Sequence, residues 1–116
     1  MVTEEQLVEI GVDVPDTMER FGGNMELLER LLRLFTQSDA LDGMLMAFSA
    51  QNPDDLERTS HSIKGSAANL GLKELSTRAS DVCEYVRATR TAEVPQDLID
   101  AVVEEHSRVT KAIDAL

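Results

Sequence analysis

Aromatic residues are few: Phe21, Phe35, Phe48 and Tyr85 are the whole set, and there is no Trp. The apolar mass is Leu, Val, Ile, Ala and Met instead, a mixture that favours helices over strands. A single cysteine, Cys83, excludes an internal disulfide and a cysteine metal cluster, and it fits a reducing compartment. No stretch approaches the roughly 18 apolar residues that a membrane span needs. The opening Met1-Val2-Thr3-Glu4-Glu5 has neither the basic nor the apolar region of a signal peptide. Positive charge is also short: 11 Lys and Arg stand against 22 Asp and Glu, for a formal net charge of −11. A surface this acidic repels nucleic acid and anionic lipid. The expectation is a soluble cytoplasmic protein with neither nucleic acid nor membrane as partner.

What is present suits one domain spanning residues 1–116, with residues 1–13 a candidate loose N-terminal segment. Hydrophobic residues at 42% and charged residues at 28% favour folding over disorder. Gly11, Pro15, Gly22-Gly23, Gly43, Pro53, Gly65, Gly71 and Pro95 divide the chain into helical stretches with short joints. Pro15-Asp16 opens a short helix that stops at Gly22-Gly23, and Asn24 caps the next. There Leu27, Leu31, Leu34, Leu41, Leu45 and Phe48 recur at heptad-like spacing, widened by Leu28, Leu32 and Phe35. This predicts one helix over about 24–51, or two with a break near Ser38-Asp39. Asn52-Pro53-Asp54-Asp55 restarts the chain with an N-cap, a first-turn proline and two acids at the positive end of the helix dipole. That helix runs to Asn69-Leu70, with Gly71 as its stop. Leu72, Leu75, Ala79, Val82 and Val86 form the next seam, ending near Arg90. Pro95 opens the last helix, with the stripe Leu98, Val102, Val109, Ile113 and Leu116. The fold class is therefore all-α: an antiparallel up-and-down four-helix bundle with a short extra N-terminal helix.

The third of these helices contains His61-Ser62-Ile63-Lys64-Gly65-Ser66-Ala67-Ala68-Asn69-Leu70-Gly71. Leu56, Ile63, Ala67 and Leu70 mark its core face, and His61 lies about 140° from Leu56 at 100° per residue. Lys64 and Gly65 flank His61 one turn on, and Ala68 continues the strip. The pattern predicts an exposed imidazole beside a cation on a face cleared of bulky side chains. An imidazole with its ordinary pKa of about 6.5 is mostly neutral at pH 7, so a ring nitrogen can attack phosphorus. Lys64 can offset charge on phosphoryl oxygens. The chain has no glycine-rich phosphate loop and no acidic Mg²⁺ site paired with one, so a phosphoryl group must come from a partner.

This segment resembles the signature of histidine-containing phosphotransfer domains. Arg20-Phe21-Gly22-Gly23-Asn24 is similar to the family's entry into its long helix, and Leu31-Leu32-Arg33-Leu34-Phe35 to the middle of that helix. The resemblance covers roughly residues 15–90. It implies that His61 is the phosphorylated residue, modified on its solvent-facing nitrogen, and that Lys64 steadies the phosphoryl group. It implies further that Gly65 opens the surface and that Gly71 ends the helix. The implied partners are response-regulator receiver domains and hybrid histidine kinases. The receiver supplies the aspartate and the Mg²⁺; the chain has no cofactor of its own and no autonomous kinase activity. Two departures from the family pattern, Ser60 and Val82-Cys83-Glu84, are expected to lie away from the phosphoryl site.

Helical phase places Arg58, Lys64, Gly65 and Ala68 on the surface that a receiver meets, with leucines of the long helix adding apolar contact. His106 falls about 40° from the core centre of the last helix and reads as a packed boundary histidine rather than a second site. Cys83 reads as an inert small hydrophobe. Met25, Met44 and Met46 read as packing, and Asp54-Asp55 and Glu104-Glu105 as helix-start and solvated-face charges. Two rival functions stand beside the monomeric phosphocarrier. One is the phosphoacceptor domain of a chemotaxis-type kinase, which has a similar His-x-x-Lys-Gly helix and receives phosphate from its own ATP-bound domain. The other is an adaptor that binds receivers without carrying phosphate. A chain that starts at Met1 and ends in a helix favours a complete small protein over a kinase fragment.

Overall fold

Side-chain caps at Asn24 and Asn52 start two helices where the sequence places them. In a computed structural model describing residues 1–116, seven helices form and no sheet. These are α1 (Glu4–Ile10), α2 (Val14–Arg20), α3 (Met25–Thr36), α4 (Ala40–Ser49), α5 (Pro53–Asn69), α6 (Lys73–Thr89) and α7 (Gln96–Asp114). Asn24 accepts from the Leu27 N–H at 3.0 Å and Asn52 from the Asp55 N–H at 3.1 Å. Each bond satisfies a backbone donor that the first turn would leave unpaired.

The long helix is two, broken at residues 37–39. The break does not redirect the chain. Leu31 and Phe35 of α3 share a groove with Ser66, Asn69 and Leu70 of α5, and Gly43 of α4 faces Thr59 further back along α5. α3 and α4 thus pass along α5 as one arm, antiparallel to it. α6 returns beside α5 and α7 beside α6, and Phe35 packs at a tilt against His106 of α7, 5.6 Å between ring centroids, closing the ring of four arms. The bundle is the expected up-and-down four-helix plan.

One continuous core runs through it and includes Leu28, Leu32, Met44, Leu56, Ile63, Leu75, Val82, Val102 and Ile113. The seams expected for α5 and α6 are buried throughout. That of α7 is buried at Val102, Val109 and Ile113 and half-buried at both ends. α3 needs a correction of phase: Leu28, Leu32 and Phe35 are the buried row, Leu27 and Leu31 are half-buried, and Leu34 is 55% exposed. Two apolar rows lie about 100° apart on this helix, and the packing against α5 and α7 selects the second. Met44 is core as expected, whereas Met46 is 72% exposed.

Residues 1–13 are not loose. Thr3 and Gln6 close a capping box on α1. Leu7 and Ile10 are buried, and α1 lies on α7. Arg108 fixes it there: its guanidinium donates to the Ile10 carbonyl at 2.8 Å and to the Glu9 carbonyl at 3.3 Å. It also grips both carboxylate oxygens of the buried Glu105, at 2.7 and 2.8 Å. Glu105 was expected on a solvated face. Burial without Arg108 would be costly, and this paired hydrogen bond holds the Glu105 carboxyl below its ordinary pKa.

Candidate functional site

α5 presents one face to the core and the opposite face to solvent. Leu56, Ile63 and Ala67 are buried, while His61, Gly65 and Ala68 are exposed at i, i+4 and i+7. The arrangement expected from helical phase is therefore in place. A Cβ built on Gly65 would meet nothing within 4 Å, so this glycine leaves open surface and relieves no internal clash. Lys64 is half-buried on the side facing α6, and its carbonyl accepts from the Ser76 hydroxyl at 3.0 Å. Neither the His61 imidazole nor the Lys64 ammonium takes part in an ion pair within the chain. Arg58 is exposed and pairs loosely with Asp55 at 3.2 Å. Of the expected site residues, the structure gathers His61, Lys64, Gly65 and Ala68 on one strip and sets Arg58 beside it, towards α4.

The buried hydroxyls of α5 are spent on backbone. Ser60 is fully buried and donates to the Leu56 carbonyl at 2.7 Å; Thr59 donates to the Asp55 carbonyl at 2.7 Å. Ser60 therefore faces the core, away from the strip. Val82 and Cys83 are buried too, but Glu84 is exposed and pairs with Arg87 at 3.2 Å; Arg87 in turn lies 3.6 Å from Glu57, one turn before His61. Glu84 is thus linked through Arg87 to Glu57 of α5.

The C-terminal end of α5 is held by residues far away in sequence. Arg20 Nη2 donates to the Ala68 carbonyl at 3.0 Å and the Asn69 carbonyl at 3.2 Å, the last-turn acceptors that a helix cannot satisfy itself. The Asp13 N–H donates to the Gly71 carbonyl at 2.9 Å, Val12 and Leu72 form an isolated antiparallel bridge, and Lys73 pairs with Asp13 at 2.8 Å. The Lys73 ammonium holds the Asp13 carboxyl below its ordinary pKa, and Asp13 in return raises that of Lys73. Gly71 has φ of +75°, and a Cβ there would stand 1.9 Å from Thr17 Oγ1. It is more than a helix stop: its missing side chain is what lets α2 sit against the turn.

Arg20, Thr17 and Arg87 were not read as site-supporting residues. Arg20 had a signal, since it opens the Arg20-Phe21-Gly22-Gly23-Asn24 segment, but nothing local marks the other two. His106 is half-buried against Phe35, and burial lowers its pKa while the charge of Asp42 partly opposes this. Cys83 is buried, its thiol 3.8 Å from the Glu57 carbonyl. No three His, Cys, Asp or Glu side chains converge as metal ligands, and no helix is long and apolar enough to cross a membrane.

A protein-family model described as Hpt domain matches residues 23–116. No curated protein and no solved structure matches the chain.

Proposed function

This chain belongs to the Hpt domain family, whose members are phosphocarrier modules of phosphorelays, and on that premise we propose that His61 is its carrier residue. In this reading His61 takes a phosphoryl group from the aspartyl phosphate of one receiver domain and returns it to the aspartate of another. The observation that carries the reading is an exposed, unpaired imidazole on a helix face opened by Gly65 and Ala68, with Lys64 one turn on.

The chemistry is an exchange at phosphorus. The lone pair of the unprotonated ring nitrogen forms an N–P bond as the P–O bond to the aspartate breaks, and the carboxylate leaves with the electron pair. The other ring nitrogen keeps its proton. Return of the group reverses the sequence on a second aspartate. Little covalent help is needed in such transfers; alignment and charge stabilisation dominate. The α5 scaffold supplies alignment through its buried face and its pinned C-terminus. Lys64 supplies positive charge to the phosphoryl oxygens. Mg²⁺ and the carboxylate belong to the receiver, and the partner docks over His61, Gly65, Ala68 and Arg58, with this chain as a monomer.

The test is transfer from a phosphorylated receiver to the wild-type protein and to His61→Ala. An acid-labile, base-stable label on the wild type alone is the expected result. Label delivered by a kinase's ATP-bound domain, and by no receiver, would make the chain a kinase phosphoacceptor instead. A receiver that binds both forms equally, with no label on either, would make it an adaptor.

A further inference from the structure

A charged cluster on α5 and α6 includes Glu57, one turn before His61, and neither the motif nor the docking strip accounts for it. The two helices are antiparallel, and their register is set by two contacts: Ser76 Oγ on the Lys64 carbonyl at 3.0 Å, and Cys83 Sγ against the Glu57 carbonyl at 3.8 Å. Ser76, Cys83 and Arg87, at i, i+7 and i+11, therefore run along α5. Arg87 reaches across and takes two acids at once: Glu57 of α5 at 3.6 Å, and Glu84 of its own helix at 3.2 Å. Glu57 stands four residues before His61, on adjoining turns of one face. Lys64, three residues after His61, adjoins it on the other side.

A phosphoryl group on His61 would carry close to two negative charges. It would then stand one helical turn from Glu57, which Arg87 links to Glu84 of α6. Without a counter-ion, these carboxylates oppose both the arrival of an anionic donor and the persistence of the phosphorylated state. Resting on the assignment of His61 as carrier, we propose that Arg87 is a positioning residue for the transfer. It holds the Glu57 and Glu84 carboxylates together, off the phosphoryl position, and offsets one of their two charges there. Lys64 faces the group directly; Arg87 acts through the two acids.

The experiment removes the partner, so that docking cannot contribute. Phosphoramidate serves as a small donor: the imidazole nitrogen forms the N–P bond as the donor's own P–N bond breaks, and the leaving nitrogen departs protonated as ammonia. Labelling of His61 is followed by ³¹P NMR at low ionic strength, in wild type, Arg87→Ala, Arg87→Lys, Glu57→Gln and Arg87→Ala/Glu57→Gln. The expected result is about three- to ten-fold slower labelling for Arg87→Ala, the size of an unscreened charge at one to two side-chain lengths. The deficit shrinks in about 0.5 M salt, is largely absent in Arg87→Lys and is reversed by adding Glu57→Gln. A purely structural role would lower the melting temperature but would show neither the salt dependence nor the rescue. Labelling of Arg87→Ala at the wild-type rate, or a deficit that Glu57→Gln leaves untouched, overturns the proposal while His61 remains the carrier. A wild-type protein labelled at His61 by neither phosphoramidate nor any phospho-receiver overturns the carrier assignment, and this inference with it.

Discussion

Replacing Gly71 with Ala tests the joint that holds the end of α5. Two costs add. The backbone there has φ of +75°, and a left-handed conformation costs a residue with a Cβ roughly 1–2 kcal/mol. The new methyl would stand 1.9 Å from Thr17 Oγ1, 3.1 Å from Val12 Cγ1 and 3.2 Å from Thr17 Cβ. Rotating the hydroxyl away leaves the Cβ contact, so the helix or the turn must shift; forced overpacking costs about 1–3 kcal/mol. Alanine returns about 0.4–1 kcal/mol by stiffening the unfolded chain. The net expectation is a loss of about 2–4 kcal/mol, a large share of the 5–15 kcal/mol typical of a domain. In a thermal melt followed by circular dichroism this lowers Tm by on the order of 10 °C. Thr17 is fully buried and its hydroxyl has no hydrogen-bond partner, so Thr17→Ala removes the clashing atom without orphaning a donor on the other side. In a double-mutant cycle, Thr17→Ala/Gly71→Ala should be about 1–2 kcal/mol more stable than the sum of the single changes. A Gly71→Ala loss under about 1 kcal/mol, or strict additivity with Thr17→Ala, would refute the account of Gly71 as a close-approach glycine.

Four further outcomes are expected. Gly65→Ala should stabilise the protein by about 0.5–1 kcal/mol in urea, because the Cβ meets open space and alanine is the better helix former. Gly65→Trp or Ala68→Trp should slow transfer from a receiver at least ten-fold and leave labelling by phosphoramidate unchanged; unchanged receiver rates would remove both residues from the docking surface. Arg108→Met should cost about 1–3 kcal/mol in the same melts, since it leaves the buried Glu105 carboxylate unpaired and frees α1 from α7. The Glu105 pKa is lowered in the native fold, so its contribution is present above the ordinary carboxylate range and is lost as pH falls through the native value. His106 has its native pKa lowered by burial, so below about pH 6.5 the unfolded chain binds the extra proton and stability falls. His106→Phe should flatten that segment of the stability–pH curve.

Much of the architecture is written locally. Asn24 and Asn52 start α3 and α5 because their side-chain oxygens reach a backbone N–H three residues on, a contact within one turn. The seams of α5 and α6 are single apolar rows, so period alone orients them, and it carries His61, Gly65 and Ala68 to solvent with them. That is why the candidate site was legible before the fold was. α3 was less so: with Leu27, Leu31 and Leu34 beside Leu28, Leu32 and Phe35, its own pattern permits two orientations about 100° apart. Only the positions of α5 and α7 separate the buried row from the flanking one. The order of α1 was illegible for a related reason: its Leu7 and Ile10 form too short a stripe to specify a helix until α7 and the Arg108 fork receive them.

The sequence by itself determined where helices start and stop, which face of α5 and α6 is buried, and that His61 stands exposed between small residues and a lysine, because all of these depend on contacts within a turn or two. Packing of the helices decided that Thr17 presses on Gly71, that Arg20 caps a helix 48 residues away, that Glu105 is buried against α1 with Arg108, and that Arg87 of α6 reaches Glu57 of α5, one turn before His61. Thr17–Gly71, Arg20–Ala68 and Arg87–Glu57 join residues whose separation along the chain carries no period, and Glu105–Arg108, a pair within one turn, becomes buried only when the helices pack.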